Sequence, residues 1–265
     1  MMWNVNVPSP LIVEAPMPLG FRGGVEHMRG TWQGQNVFMK ILGSSDPEGQ
    51  ERFSHEGLIN RRLSHRLLVP LLAQSERQLV FPFVEGCTLR ERIEAGPVAP
   101  AEAVQVMTGL LEIVGYLHAQ GVTHHDLKPE NVMLSGGRLE AQAVRLIDLG
   151  MAHDRQAKGD THAGTRMGTP HFMAPEQFQG VRGDHRSDLY ALGVLFWDAL
   201  AGQPPYADPL NWLLGNPAMR GPLPQPQALQ PLLDRCLHRD PADRFQSADE
   251  MLGALHRASL VSALL

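Results

Sequence analysis

The sequence predicts an α+β chain of two lobes: a small N-terminal lobe with a five-stranded antiparallel sheet and one helix, then a larger, mainly helical C-terminal lobe. Three observations predict it. Residues 8 to 42 alternate and are punctuated by glycine, as three strands joined by tight turns would be. From Pro100 onward apolar residues recur at helical spacing. Directly after the Pro100–Gln120 helix comes a polar stretch, Gly121 to Leu134, set in an apolar frame.

The first strands hold Leu11-Ile12-Val13 and Leu19-Gly20-Phe21-Arg22-Gly23-Gly24. Gly30 to Gly34 and Val37 to Leu42 follow. Strand alternation puts Phe38 and Lys40 on one face and Val37 and Met39 on the other. Pro47 to Leu63 reads as a helix with a cap among Ser44, Ser45 and Asp46. Leu58, Ile59 and Leu63 are on its apolar side and Glu56 is in its middle. Leu67 to Leu72 and Gln78 to Val84 read as the last two strands. The N-lobe is thus expected over residues 1–84 and the C-lobe over 85–265.

In the C-lobe, Thr88 to Ala95 reads as a short helix. Pro100 to Gln120 is the clearest helix, with Val104, Met107, Leu111 and Val114 on one stripe. Gly121 stops it. Arg186 to Ala201 is an apolar helix, interrupted by Asp198. Ser247 to Ala258 is the last. Eight prolines between Pro204 and Pro231 mark a loop-rich stretch.

Composition narrows the function. A hydrophobic content of 43% in 265 residues builds a real core. Net charge is −5 with no basic cluster, so no nucleic-acid partner is expected. No apolar run reaches a membrane span, and the start lacks a signal-peptide pattern. Two cysteines, Cys87 and Cys236, exclude a disulfide framework, and the histidines lack zinc-ligand spacing. A cytoplasmic protein is expected.

The polar stretch carries the chemistry. It holds Asp126, Lys128 two residues on, and Asn131 five residues on. Phosphoryl transfer from ATP needs an acid facing the incoming hydroxyl, a cation near the moving phosphate and oxygen ligands for Mg²⁺. Asp148 comes seventeen residues after Asn131. A strand, a Ser135-Gly136-Gly137 turn and a returning strand would bring it back beside Asn131. Two oxygen ligands suit a hard cation that keeps some of its waters.

At these residues the chain resembles the eukaryotic-like serine/threonine protein kinases. His124-His125-Asp126-Leu127-Lys128-Pro129-Glu130-Asn131 is similar to their catalytic loop, and Asp148-Leu149-Gly150 to their metal-binding Asp-Phe-Gly. The resemblance spans about residues 15 to 257. It implies that Lys40, paired with Glu56, holds the α- and β-phosphates of ATP. It puts Gly20 and Gly23 in a loop over the phosphates, although Arg22 and Val25 replace two of that loop's glycines and His27 its valine. Phe38 stands where the family has a small alanine above the adenine. The Pro82 carbonyl and the Val84 amide would meet the adenine, Phe81 is the gatekeeper, and Met133 lies beneath the ring. Thr169 and Lys128 match the serine/threonine signature, so the implied partner is a protein with a serine or threonine acceptor. Asp188 matches an aspartate that braces the catalytic loop, and Arg244 an arginine that pairs with Glu176.

Three readings follow. The first is an active kinase in which Asp126 accepts the hydroxyl proton, Lys128 neutralises the γ-phosphate, and Asn131 and Asp148 hold Mg²⁺. The second is a pseudokinase scaffold with weak or absent ATP binding, resting on the degenerate loop, His27 and Phe38. The third is a small-molecule phosphotransferase; Lys128 and the Gly168-Thr169-Pro170 to Ala174-Pro175-Glu176 segment argue against it. The filled catalytic positions favour the first, because buried unpaired carboxylates are costly.

Overall fold

The computed structural model describes residues 11, 13–22, 24–43, 47–157, 169–213, 221, 222, 224 and 226–262. The N-lobe contains strands β1 (Glu14–Arg22), β2 (Val25–Trp32) and β3 (Gln35–Leu42), helix α1 (Pro47–Arg62), and strands β4 (Ala73–Gln74) and β5 (Gln78–Pro82). They form one antiparallel sheet in the order β1-β2-β3-β5-β4. The two faces of β3 go to different cores, as the period of two requires. Val37 and Met39 pack with Trp32, Ala73 and Val80. Phe38 packs against the cluster of Leu42, Phe53, Val69, Leu79 and Phe81.

The strand expected over Leu67 to Leu72 is not formed. Leu68 makes only an isolated bridge to Leu146, and the fifth strand is the two-residue β4. The reason lies in the hydrogen bonds. Leu67 and Val69 exchange backbone bonds with Leu146 of the C-lobe, at 2.7 and 3.1 Å. Pro70 then has no N–H to give to the sheet. This segment is a strap between lobes rather than a rung of the ladder. The cap expected among Ser44 to Asp46 lies outside the described residues.

The C-lobe follows with β6 (Gly86–Thr88), α2 (Leu89–Glu94), α3 (Pro100–Ala119), β7 (Val122–Thr123), β8 (Val132–Ser135), β9 (Val144–Leu146) and β10 (His153–Asp154). Helices α4 (Pro175–Phe178), α5 (Arg186–Ala201), α6 (Pro209–Leu213), α7 (Gln230–Cys236) and α8 (Ala248–Ser262) complete it. Thr88 caps α2 through a reciprocal pair with Glu91. Strands β8 and β9 are the expected antiparallel hairpin, with Gly136 and Gly137 at φ +64° and +69° in its turn. Helix α5 is buried from Ser187 to Leu200. Such a helix is apolar on every side because it has no solvent face. It packs closely on α7: a Cβ placed on Gly193 would lie 2.4 Å from Cys236 Cβ.

One buried ion pair ties this lobe together. Glu176 accepts two parallel bonds from Arg244, each 2.7 Å, and a third from Ser187 Oγ at 2.6 Å. Arg244 is completely buried. Its guanidinium also donates to the carbonyls of His238 and Arg239. The fork is therefore satisfied on several sides, the condition under which a buried pair is not a net cost. Removing one partner strands the other charge. Glu176→Ala is expected to lower stability by about 3–5 kcal/mol, read from the denaturant midpoint; a loss under about 1 kcal/mol, the size typical of an exposed pair, would refute this role.

Candidate active site

The site lies where β3, α1 and the β8–β9 hairpin meet. Lys40 Nζ donates to Glu56 Oε1 at 2.6 Å and to Asp148 Oδ1 at 2.9 Å. Lys40 and Glu56 are both buried. Burial alone would lower the Lys40 pKa; the charges of Asp148 and Glu56 override it and hold the ammonium above its ordinary range. Asp148 is opposed by burial in the same way. The Lys40 charge and the amide of Gly150, 3.1 Å away, hold its carboxyl well below the usual carboxylate range. Glu56 is pushed up by burial despite Lys40. Gly150 is glycine for lack of room: a Cβ there would sit 3.1 Å from Asp148 Oδ1 and 3.3 Å from Glu56 Oε2.

The catalytic loop is built around Asp126. Lys128 Nζ donates to Asp126 Oδ2 at 2.5 Å. Asn131 Nδ2 donates to the same oxygen at 3.1 Å and to the Asp126 carbonyl at 2.8 Å. These bonds leave Asp126 Oδ1 for an incoming group. They also commit the Asn131 nitrogen, so what Asn131 offers a cation is its oxygen. Asp148 likewise keeps Oδ2. This donor set fits Mg²⁺, which takes one or two carboxylates or amide oxygens and completes its shell with waters and phosphates. Among the described residues, no group of three or more His, Cys, Asp or Glu side chains forms a metal cage by itself.

Two residues here have left-handed backbone without being glycine: His125 at φ +64° and Asp148 at φ +66°. Such conformations cost energy and persist only where the surroundings enforce them. Asp188, fully buried on α5, enforces the first. It accepts the amides of His124 at 2.8 Å and His125 at 2.9 Å, and the His118 ring at 2.8 Å. Burial opposes its ionisation, but His118 brings its pKa down to about 2. His125 itself is buried; Gly183 N donates to its Nε2 at 2.8 Å, and Gln177 Nε2 donates to its carbonyl at 3.1 Å.

A cavity of about 380 Å³ lies between the lobes. Its lining includes Phe38, Lys40, Pro82, Val84, Asn131, Met133 and Asp148, all predicted from sequence, with the gatekeeper Phe81. Gly20 is not in its lining; it sits on β1 opposite His27. Gly23 lies outside the described residues, as do Thr161 and Thr165. The β1–β2 ladder runs to Arg22↔Val25.

The sequence reading missed several partners. Arg90 bonds Asp198 at 2.8 Å and Glu130 at 3.1 Å. A signal existed: a lone acid in an apolar helix needs a cation. Arg62 ties the end of α1 to Asp154 at 2.8 Å and carried no comparable signal.

Residues 19–254 match the model of the protein kinase domain. The chain belongs to the protein kinase domain family. It is 32% identical over 257 residues to serine/threonine-protein kinase PknH of Mycobacterium tuberculosis (strain ATCC 25618 / H37Rv), covering 89% of this chain and 40% of that one. It is 35% identical over 246 residues to serine/threonine-protein kinase pkn2 of Myxococcus xanthus, covering 85% of this chain and 29% of that one. For PknD of the same Mycobacterium tuberculosis strain the figures are 31% over 261 residues, 92% and 39%. The chain thus spans less than half the length of each of these relatives. Among the described residues, no helix of this kinase domain is long and apolar enough to cross a membrane.

The Asp188 brace gives a test with a defined pH window. Asp188→Asn puts a donor against one of two buried N–H groups, at an expected cost of roughly 1–3 kcal/mol at neutral pH. The folded pKa is depressed from 3.8 to about 2. The carboxylate's contribution is therefore complete above 3.8 and is lost as pH falls through about 2. The stability gap between wild type and variant, from denaturant melts across pH, is expected to narrow only inside that window. A gap that is flat throughout would refute the assignment.

Proposed function

We propose that this domain is an ATP-dependent serine/threonine protein kinase, transferring the γ-phosphoryl group of ATP to a protein hydroxyl. The observation that carries the reading is the convergence of Lys128 and Asn131 on one oxygen of Asp126, at 2.5 and 3.1 Å. Asp126 is the catalytic residue. Its other oxygen accepts the proton of the serine or threonine hydroxyl as the hydroxyl oxygen attacks the γ-phosphorus and ADP departs. Lys128 fixes the carboxylate and offsets charge on the moving phosphoryl group. Lys40, locked by Glu56, positions the α- and β-phosphates. Bound at Asn131 and Asp148, Mg²⁺ would neutralise phosphate charge. The Pro82 carbonyl and Val84 amide orient the adenine, with Met133 beneath it. Gly20 is on the β1–β2 hairpin, outside the cavity lining. The pseudokinase reading gains nothing here, since the cavity stays open at about 380 Å³ with Phe38 in its wall. The partners are ATP and a protein acceptor, the work is signalling, and the compartment is the cytoplasm, where ATP is supplied.

Asp126→Asn keeps the shape and loses the proton acceptor. It is expected to retain ATP binding in titrations with and without Mg²⁺, and to lose phosphoryl transfer by roughly 10²–10⁴-fold. Undiminished turnover would sink the assignment.

Regulation follows from His125. Kinases that depend on activation-segment phosphorylation have arginine before the catalytic aspartate to grip the phosphate; histidine offers no bidentate fork. Here the His125 ring is already engaged by Gly183. Thr161→Ala with Thr165→Ala is expected to leave the transfer rate near wild type, and a collapse of that rate would overturn the inference.

A further inference from the structure

The cavity has an unusual ceiling. His27 and Phe38 stand on adjacent strands and both line it. Their rings are 5.4 Å apart at 50°, a tilted aromatic pair. The register explains the contact. His27 pairs directly with Lys40, and Phe38 with Arg29, so the two rings meet along the diagonal of the ladder. Phe38 is half-buried: one side packs on the apolar cluster around Phe81, and the rest faces the cavity. His27 therefore hangs beside the lysine that meets the phosphates, and Phe38 sits nearer the hinge, opposite Phe81 in the β3–β5 register.

We propose that His27 and Phe38 act as a coupled aromatic ceiling that determines nucleotide binding: Phe38 stacks on the base, and His27, held against it, meets the sugar–phosphate end beside Lys40. This rests on reading the cavity as the nucleotide site. Aromatic stacking on a base is strong enough to be read directly, as about a tenfold change in affinity.

The test compares adenosine with Mg·ATP by calorimetric titration on wild type, Phe38→Ala, Phe38→Leu, His27→Val and the Phe38→Ala/His27→Val double variant. Thermal melts report whether each is folded. Phe38→Leu keeps apolar bulk and removes the ring, so it guards against a simple packing defect. Both Phe38 variants are expected to weaken adenosine and ATP alike, by roughly tenfold. His27→Val is expected to weaken ATP and leave adenosine nearly unchanged. In the double variant the losses should fall short of the sum, as for residues in contact. Tighter ATP binding in Phe38→Ala would show that the ring blocks the base, and would overturn the proposal. So would an equal effect of His27→Val on both ligands, or a wild type that binds neither. Wild-type ATP binding without phosphoryl transfer would defeat the kinase reading alone and leave the ceiling standing.

Discussion

One buried carboxylate carries the catalytic loop. Asp188 sits in the middle of the molecule, on a helix with no solvent face, and accepts three hydrogen bonds. Two of them come from consecutive backbone amides, at a point where the chain adopts a left-handed turn uncommon outside glycine. Without that acceptor the turn would relax, and Asp126, the next residue, would lose its aim. The rigidity of α5 is thus delivered to the reacting group through a side chain, not through the loop itself. Because the carboxyl stays ionised down to about pH 2, the brace holds across any physiological condition.

The second constraint is the three-charge cluster of Lys40, Glu56 and Asp148. It joins the sheet, helix α1 and the segment after the hairpin, with Lys40 and Glu56 buried and Asp148 part-exposed. Two carboxylates facing one ammonium leave excess negative charge there, which a cation held at Asp148 and Asn131, as proposed above, would offset. Arg62 and Asp154 hold the far end of α1, so the helix is pinned at its middle and at its end.

Much of this was legible in the sequence, for definite reasons. The residues that act together in the loop are adjacent in the chain, so spacing alone brings Asp126, Lys128 and Asn131 within reach. Strand alternation correctly assigned Phe38 and Lys40 to the cavity face, and Val37 and Met39 to the core behind it. Helical spacing located α3 and α5 to within a residue or so. The segment from Leu67 failed because an apolar run has no label for its partner: Leu67 and Val69 bond Leu146 across the lobes, while Leu72 reaches Val80 of β5. Asp198 in its apolar helix signalled the need for a cation, but nothing local pointed to Arg90, 108 residues away. Local pattern encodes which face is buried; it does not encode what a lone buried acid meets.

The Glu176–Arg244 fork joins residues 68 positions apart, and Asp188 reaches back 63 and 64 positions to the loop it braces. Synthesis proceeds from the N-terminus. Asp126, Lys128 and Asn131 therefore leave the ribosome long before the carboxylate that orients them, and Arg244 later still. During that interval the loop is present but has no shape, and a nascent chain stopped before α5 would have every catalytic residue and no catalyst.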